Sequence, residues 1–390
     1  MKKWLPVFAS VLLLITGCAP KFDSQDKIVQ DKNNNNKKQT AIIPTYQVSD
    51  EYYRTLIPFE PSKARGRIVN NLNTRYDIQE FETGLMRVAQ KSFSPDTYLF
   101  QEGQYLDKDT VDAWLNRKYT SSQLKEKKLT SADNLGLNPV NDGKGSIEEQ
   151  NKKAPIYLAH ILEHDYLVKS KKGNTAKLGG VVIGLALNTV HYYQKEQYGA
   201  VYEEDIKNTE SEGKKIAQEV IKRLRNMNGL KDVPITIALF EQKAKDSVVP
   251  GNFVSYAEVG QGSSSIDKWK KIDEKYYLFP DDTTTKDYRD DANKFDKFKQ
   301  NIEEYFPNYN GVIGRGLYRD KQLSQLSVEI PIQFYGQAEV IGFTQYLTGQ
   351  VIQTFPDYIS LEVSITSVNG PKAIIVREPG EKEPFVHIYQ

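Results

Sequence analysis

The chain has 390 residues, of which 39% are apolar and 11% aromatic, enough to bury a sizeable core and to form two folded units rather than one. It carries 52 basic and 51 acidic residues, so the formal net charge is +1. This near-neutral balance excludes the strongly basic surface that binding to nucleic acid requires.

The N-terminus has the pattern of a lipoprotein signal peptide at residues 1–17. Two lysines near the start precede an apolar stretch at residues 5–15, and the small Gly17 precedes Cys18, the only cysteine. In this pattern a diacylglyceryl group is attached to the thiol and the peptide is cut before the cysteine. The stretch of about eleven residues is shorter than the roughly 20 that span a bilayer, which disfavours the alternative of an uncleaved anchor. We therefore expect two acyl chains to hold the mature chain on the outer face of a cell membrane.

Residues 18–45 are expected to comprise the lipidated cysteine and a flexible tether. The segment is polar, with consecutive asparagines at residues 33–36, and offers almost nothing to bury. A flexible linker of about 26 residues has a root-mean-square reach of roughly 25 to 30 Å. Such a tether would lift the folded part off the lipid headgroups without fixing its orientation. With the single cysteine lipidated, neither disulfides nor cysteine-ligated metal would contribute to the fold.

The folded part is predicted to begin with a strand at about residues 52–57 and a helix at about residues 76–93. A second helix is predicted at about residues 107–117. In both helices apolar residues recur at helical spacing. The polar stretch that follows is rich in turn residues and is predicted to be a long loop.

Two later stretches share one order of predicted elements: strand, strand, helix, strand. The first has strands at about residues 156–166 and 179–191, a helix at 209–227 and a strand at 235–240. The second has strands at about residues 312–318 and 326–334, a helix at 337–354 and a strand at 358–366. The strand assignments rest on alternation, as at Leu326, Val328 and Ile330.

These elements predict an α+β fold of two tandem β-β-α-β-like units with mixed or antiparallel sheets, after the lipoprotein signal and the flexible tether. The first would be an N-terminal domain of residues 46–247 and the second a C-terminal domain of residues 248–390. The residue-level similarity between the two stretches is too weak to establish a duplication.

Residues 248–290 are the best place for a boundary or a functional loop, and a helix is predicted after them at about residues 291–306. The stretch contains Trp269, Tyr276 and Tyr277 in a chain that is rich in tyrosine, with 24 residues. Exposed aromatic rings stack on sugars or anchor peptides, because a large flat ring gives contact area at low entropic cost. We therefore predict that these three residues line a groove for a cell-envelope glycan or peptide. The alternative is that they occupy half-buried strand positions.

His160, Glu163 and His164 match the H-x-x-E-H spacing of inverted zinc proteases, in which one helix presents both histidines to the metal. The surrounding alternation and β-branched residues favour a strand instead. In a strand the two histidines would lie about 13 Å apart, too far to share one zinc ion. We therefore expect a histidine pair on a strand and no metal.

A cluster of aspartates after residue 280 raises the alternative of a calcium site. Its members are Asp281, Asp282, Asp287, Asp290 and Asp291. Their spacing does not match the twelve-residue calcium loop, and the last two are well placed against the dipole of the following helix.

Motifs for nucleotide binding or nucleophilic catalysis are incomplete. The Gly- and Ser-rich residues 260–265 lack the Lys-Ser/Thr ending of a phosphate loop, and Gly314-Arg315-Gly316 lacks the third glycine of a dinucleotide fingerprint. A Gly-x-Ser-x-Gly nucleophile elbow is absent from the sequence. We therefore predict no catalytic residues and no cofactor.

Several long strings give the chain a resemblance to the CamS family of Gram-positive lipoproteins, the precursors named for the sex pheromone cAM373. They are YRTLIPF (53–59), ARG (64–66), EFETGLM (80–86), LNP (137–139), GGVVIGLALN (179–188), IPIQFYG (330–336) and GFTQ (342–345). The resemblance covers nearly all of the mature chain.

The resemblance implies a second possible product, a short hydrophobic peptide released from the end of the signal peptide and exported as a mating signal. The matching residues here are 11–17, VLLLITG, which differ from the family's Ala-Ile-Phe-Ile-Leu-Ala-Ala pattern at nearly every place. The resemblance assigns no role to the mature protein. Three hypotheses follow: an envelope binding or scaffold protein without catalytic activity, a signal-peptide precursor, and a hydrolase built from carboxylates that the sequence does not pair.

Overall fold

The computed structural model describes residues 26–31, 38–49, 51–66, 71–170, 175–306, 311–333 and 336–389. These residues form seventeen strands. They are β1 (Asp26–Asp31), β2 (Lys38–Ile43), β3 (Arg54–Thr55), β4 (Tyr98–Glu102), β5 (Leu158–Lys169), β6 (Thr175–Asn188), β7 (Val190–Gln194), β8 (Val201–Asp205), β9 (Ile235–Gln242), β10 (Asn252–Val259), β11 (Lys270–Lys271), β12 (Glu274–Phe279), β13 (Ile313–Arg319), β14 (Gln322–Pro331), β15 (Ser360–Ser367), β16 (Gly370–Arg377) and β17 (Phe385–Ile388).

The same residues form eight α-helices and a short 3-10 helix at Ser131–Asp133. The α-helices are α1 (Arg75–Ala89), α2 (Lys108–Leu115), α3 (Ser121–Glu126), α4 (Ile147–Lys153), α5 (Thr209–Arg225), α6 (Asp282–Asp287), α7 (Arg289–Tyr305) and α8 (Gln337–Thr354). The predicted helices are present with small differences at their ends. The predicted long loop is wrong in part, because it contains α3 and α4, short helices with capping boxes and no buried residue to give an apolar pattern.

The strands form two large sheets. The first has the order β11-β10-β9-β6-β5-β4-β3, with the β1–β2 hairpin joined to β6 through β1. The second has the order β12-β13-β14-β15-β16-β17, and β7 and β8 form a separate hairpin. We call residues 26–271 the first unit and residues 274–389 the second unit.

Both units contain the predicted β-β-α-β order. In the first, β5 and β6 are antiparallel, α5 crosses over, and β9 is parallel to β6. In the second, β13 and β14 are antiparallel, α8 crosses over, and β15 is parallel to β14. The correspondence extends outwards, because β4, β10 and β11 of the first sheet match β12, β16 and β17 in position and direction. The α+β prediction with mixed sheets is confirmed.

The predicted domain boundary between residues 247 and 248 is wrong. It separates β9 from β10, which are antiparallel neighbours in the first sheet. The chain changes sheets after β11, at about residue 272, and the predicted loop at 248–290 holds three strands and α6. The error has a local cause, since Pro250, Gly251 and Gly260 bracket β10 and give this strand the composition of a loop.

The prediction that residues 18–45 are a flexible tether is wrong for residues 26–31 and 38–43, which form β1 and β2. β1 and β2 pair along six residues each, and Ile28, Ala41 and Ile43 are buried in a small cluster with Leu167. Their apolar side chains flank the asparagine-rich stretch, whose composition dominated the sequence pattern. Cys18 and the signal peptide lie outside the described residues.

The two sheets differ in how their faces are covered. In the first sheet, Val181, Ile183 and Leu185 of β6 pack in a core that includes α2 and α5, while Val182 on the opposite face packs in a core that includes Phe81 of α1. In the second sheet one face packs with α7 and α8, and the opposite face lines a cleft. Within the ranges given above, no helix is long and apolar enough to cross a membrane.

Candidate functional site

A cleft of about 760 Å³ lies between α1 of the first unit and the open face of the second sheet. We call it the inter-unit cleft. One wall is the outer side of α1 together with Gln90, the residue that follows it, and the floor is formed by β13, β14 and β15. The rim also includes Val48, Ser49, Glu51, Tyr52 and Pro250.

The wall is fixed because α1 is anchored at its start and along its inner side. Thr74 caps the helix, with its Oγ1 accepting a hydrogen bond from the backbone N–H of Asp77 at 3.0 Å. The carboxylate of Asp77 accepts another from the backbone N–H of Gly251 at 2.8 Å. Burial raises the pKa of Asp77, and these hydrogen bonds oppose that shift. Phe81 and Leu85 are fully buried, so the polar side of the helix must face the cleft.

The floor consists of two rows of side chains that run across paired strands. The strand registers place the residues of one row side by side: Arg315, Ser327, Glu362 and Val376. The second row contains Tyr276, Leu317, Gln325 and Ser360. With strands about 4.8 Å apart, each row spans about 14 Å. Most of the side chains in these two rows are short or polar.

A buried group of charges, the bridging cluster, joins the two units at the cleft. Arg87 of α1 donates hydrogen bonds to Glu80 and, at 2.8 Å, to Oε2 of Glu274 in β12. The hydroxyl of Tyr276 donates to Oε2 of Glu80 at 2.6 Å. Nε of Arg319 lies 3.7 Å from Oε1 of Glu274. Two carboxylates thus share one arginine across the boundary between the units.

Burial and neighbouring charges shift the pKa values of the bridging cluster. Burial raises the pKa of Glu80, against the opposing effect of Arg87. Burial alone would lower the pKa of Arg87, but Glu80 and Glu274 raise it well above its ordinary value. Burial, followed by the charge of Glu80, holds the pKa of Tyr276 well above its usual range. At neutral pH the arginine is therefore charged and the tyrosine is neutral, and their hydrogen bonds join the two units at this point.

Another group of residues on the cleft wall joins α1 to β13 and β14. The guanidinium groups of Arg75 and Arg315 lie over the ring of Tyr76, at 5.0 and 4.7 Å from its centroid. Arg315 also donates to Oε1 of Glu329 at 2.6 Å. The two units therefore meet through two separate polar contacts, with the floor beside them.

The structure does not bring the three predicted aromatic residues together. Tyr276 lines the cleft, but Tyr277 is the next residue of β12 and points into the core of the second unit, where it donates to Asp287 at 2.9 Å. Trp269 packs partly buried on the core of the first unit, beneath the amino group of Lys214. The binding role of these residues stays a prediction.

The histidine pair lies on β5, as predicted from the alternation. His160 and His164 are buried, and burial lowers their pKa values to about 4 and about 3. Glu163 accepts hydrogen bonds from the backbone N–H groups of Tyr105 at 3.0 Å and Leu106 at 2.7 Å. The motif therefore has a structural explanation, in which it holds the chain after β4.

The aspartate cluster is also accounted for locally. Asp281 caps α6 by accepting a hydrogen bond from the N–H of Thr283, and Asp291 accepts one from the hydroxyl of Tyr318. In the part of the chain that the structure describes, no three histidine, cysteine or acidic residues are grouped as a metal site. In the Gly- and Ser-rich loop, the carbonyl groups of Gly260 and Ser263 accept hydrogen bonds from Arg225.

The sequence analysis missed most of the cleft. Glu80 and Arg87 are seven residues apart and so lie on one side of α1, a spacing that could have drawn attention to them. Their partner Glu274 is 187 residues from Arg87 and belongs to the other unit. Only the packing of the two units brings these side chains together.

The family model and the solved structures that match this chain are all described as sex pheromone precursors. A family model described as CamS sex pheromone cAM373 precursor matches residues 59–383. The crystal structure of a sex pheromone precursor from Lactobacillus salivarius subsp. salivarius superposes with a TM-score of 0.79 and 33% identity, covering 89% of this chain and 98% of that one. The C-terminal domain of the sex pheromone staph-cAM373 precursor from Staphylococcus aureus gives a TM-score of 0.72 and 37% identity, covering 82% of this chain and 98% of that one. No curated protein matches the chain.

Proposed function

Because the chain belongs to the CamS family of sex pheromone precursors, we propose that its folded part is a membrane-anchored, non-catalytic binding protein of the cell envelope. Its anchor is a diacylglyceryl group on Cys18, and its location is the outer face of the cell membrane. Its ligand is a neutral glycan held in the inter-unit cleft. The observation that carries the ligand assignment is the polar floor of the cleft.

The anchor is supported by the N-terminal sequence. A basic start, a short apolar stretch and Gly17 directly before the only cysteine are the features of a lipoprotein signal. Two acyl chains bind a membrane stably where one is marginal. Replacing Cys18 with Ser should move the protein from the membrane fraction to the medium, and retention on membranes would contradict the proposal.

The floor favours a glycan because of the groups that it offers. The backbone of β13, β14 and β15 is already paired on both sides, so only side chains are available to a ligand. Ser327, Ser360 and Gln325 supply hydroxyl and amide groups, which both donate and accept hydrogen bonds, as sugar hydroxyls do.

The balance of charged residues that line the cleft also favours a neutral ligand. Among the described lining residues, five are glutamate and four are arginine: Glu51, Glu80, Glu329, Glu362, Glu378, Arg75, Arg87, Arg315 and Arg319. This balance gives no single-sign field that would concentrate a highly charged polymer.

A peptide is the less favoured ligand, because its usual binding modes need other surfaces. An extended peptide adds to a free sheet edge, an amphipathic helix needs an apolar groove, and a proline-rich segment needs a slot lined by aromatic rings. The floor lies in the middle of a sheet, and most of the side chains in its two rows are polar.

Binding of defined oligosaccharides tests this proposal. Full-length protein in nanodiscs should bind one or more of cellotetraose, maltotetraose and the tetramer of N-acetylglucosamine in calorimetric titrations. Gln325→Leu removes a donor and an acceptor from the floor and should weaken binding by at least about tenfold. Gln345→Leu, on the exposed side of α8, is the matched control. If the protein binds unstructured peptides and no oligosaccharide, the ligand of the cleft is a peptide and not a glycan. If it binds neither, the proposed binding role of the cleft is refuted.

The absence of catalysis is also a proposal. Glu80 and Glu274 are held by Arg87, and Glu329 is held by Arg315, which leaves these carboxylates poorly placed to activate water. The remaining lining carboxylates are Glu362 of β15, Glu378 directly after β16, and Glu51 on the rim. Release of shorter sugars by the native protein, lost in Glu362→Gln, would favour a hydrolase instead.

A second function is favoured by the description of the family. Its members are pheromone precursors, so the fragment at residues 11–17 could be a secreted signal. A synthetic VLLLITG peptide should then induce clumping of a responder strain at low concentration, and a scrambled peptide should not. Inactivity of both would remove this alternative.

A further inference from the structure

We propose that the end of the first sheet at which β1 begins faces the lipid bilayer, and that the β7–β8 hairpin lies at the end turned away from it. The proposal rests on the lipid anchor at Cys18 of the proposed function. It goes beyond that function by assigning the membrane-facing surface of the folded part.

The first step is the length of chain between the lipid and the fold. β1 begins at Asp26, eight residues after Cys18, whereas the sequence predicted a tether of about 26 residues. A chain advances at most about 3.6 Å per residue, so eight residues reach no further than about 29 Å. Asp26 must therefore stay within about 29 Å of the lipid surface.

The second step is the register of β1. It runs parallel to β6, with Val29 opposite Thr175. Asp26 therefore lies three residues beyond the start of β6, while Asn188 lies at its other end. At about 3.3 Å per residue, the levels of Asp26 and Asn188 are separated by about 50 Å along the strand direction.

These two lengths exclude one orientation. If the Asn188 end rested on the bilayer with the strands upright, Asp26 would stand about 50 Å above the lipid, beyond the reach of about 29 Å. An upright first unit must therefore have its Asp26 end towards the membrane.

The register assigns surfaces to the two ends. Val168 pairs with both Tyr98 and Lys177, so the turn before β4 and the exposed Lys177 lie at the membrane-facing end. β7 begins two residues after β6 ends, which places the β7–β8 hairpin at the opposite end. Tyr198, in the turn between β7 and β8, is 91% exposed.

The chain makes a clean test possible. Its only cysteine is the one that receives the lipid, so an introduced cysteine is the single free thiol. Lys177→Cys and Tyr198→Cys change exposed positions and can carry a donor fluorophore on the full-length lipidated protein. In phosphatidylcholine vesicles that contain an acceptor-labelled lipid, energy transfer should be at least about twofold higher at residue 177 than at residue 198. Equal transfer, or higher transfer at residue 198, would overturn the proposal.

Two controls separate this proposal from the anchor itself. A Gly/Ser insertion of about 20 residues before Asp26 should remove the difference, because the longer tether permits inversion. Cys18→Ser should abolish transfer at both sites while leaving the circular dichroism spectrum unchanged. If the Cys18→Ser protein still shows transfer, the lipid anchor is wrong. If anchoring depends on Cys18 but the two sites do not differ, the orientation alone is wrong.

Discussion

The two units have the same strand order, but they use the corresponding face of their sheets in opposite ways. In the first unit α1 covers that face, and Val182 of β6 lies fully buried beneath it. In the second unit the corresponding face of β14 carries Gln325, Ser327 and Glu329 and lines the cleft. The crossover helices α5 and α8 occupy the other face in both, as expected if both crossovers are right-handed. Topology thus sets the path of the chain, while the side chains on each face decide whether that face is core or binding surface.

The largest expected effect comes from placing the same charge on the two corresponding faces. Val182→Asp puts an unpaired carboxylate between β6 and α1 and should cost about 4 kcal/mol or more of unfolding free energy. Ser327→Asp, on the open face, should change it by no more than about 0.5 kcal/mol. Urea unfolding followed by circular dichroism measures both values. Similar losses would show that the second face is also a packed interface.

Removing the arginine that joins the units should have the next largest effect. Arg87→Met leaves Glu80 and Glu274 without their shared cation in a buried place, at a cost of about 3 kcal/mol in unfolding free energy. Lys294→Met breaks an exposed pair with Asp291 and should cost at most about 0.5 kcal/mol. A similar small loss for both variants would mean that the bridging cluster does not hold the units together.

The stability of the Arg87→Met variant should also depend on pH differently from that of the native protein. The pKa of Glu80 is raised in the folded protein, so the folded state binds a proton more readily than the unfolded state, and stability from this group increases as pH falls. Without Arg87 that pKa rises further. The stability difference between the native protein and the variant should therefore narrow from pH 7 to pH 5 in urea titrations, and a constant difference would contradict this account.

A third prediction concerns the first unit alone. Burial raises the pKa of Glu163, and burial together with the charge of Glu163 raises the pKa of Asp165 well above its ordinary value. The folded state therefore keeps a proton that the unfolded chain releases above about pH 5, and stability should fall as pH rises, by up to about 1.4 kcal/mol per pH unit for one proton. Asp165→Asn should flatten this dependence between pH 5 and pH 7.

Asp142, a half-buried residue of the first unit, provides the control for that experiment. Asp142→Asn should leave the slope of stability against pH between 5 and 7 unchanged, because the pKa of this residue is lowered by a backbone hydrogen bond and by Lys153. If both variants have the slope of the native protein, the buried pair is not the source of the pH dependence.

The smallest expected changes in unfolding free energy come from substitutions at the N-cap positions of α1 and α8. Thr74 caps α1 with its side chain, and Thr74→Ala should cost about 1 kcal/mol. The corresponding position of α8 is Gly336, which has no side chain to cap the helix, so Gly336→Ser should gain a few tenths of a kcal/mol. Thermal unfolding should show a loss of stability for Thr74→Ala and a gain for Gly336→Ser. A loss of stability in both variants would contradict the assignment of the caps.

Local patterns predicted the elements whose signal is contained in a short stretch. The helix at residues 337–354 has the predicted ends, and the strand assignment of His160 and His164 followed from alternation alone. The patterns failed where neighbouring residues masked a short apolar segment, as around Ile28 in β1 and Phe253 in β10. Of the predicted binding residues only Tyr276 lines the cleft, because adjacent strand residues point to opposite faces.

By itself, the sequence determined the α+β class, the repeated strand-strand-helix-strand order and the resemblance to the CamS family, because each is written in residues close together along the chain. Only the tertiary structure decided that β10 belongs to the first sheet, that β1 shortens the link to Cys18, and that Arg87 meets Glu274. These facts depend on contacts between residues far apart in sequence, such as the 187 positions that separate Arg87 from Glu274. A local sequence pattern does not predict which surfaces of two folded units will face each other.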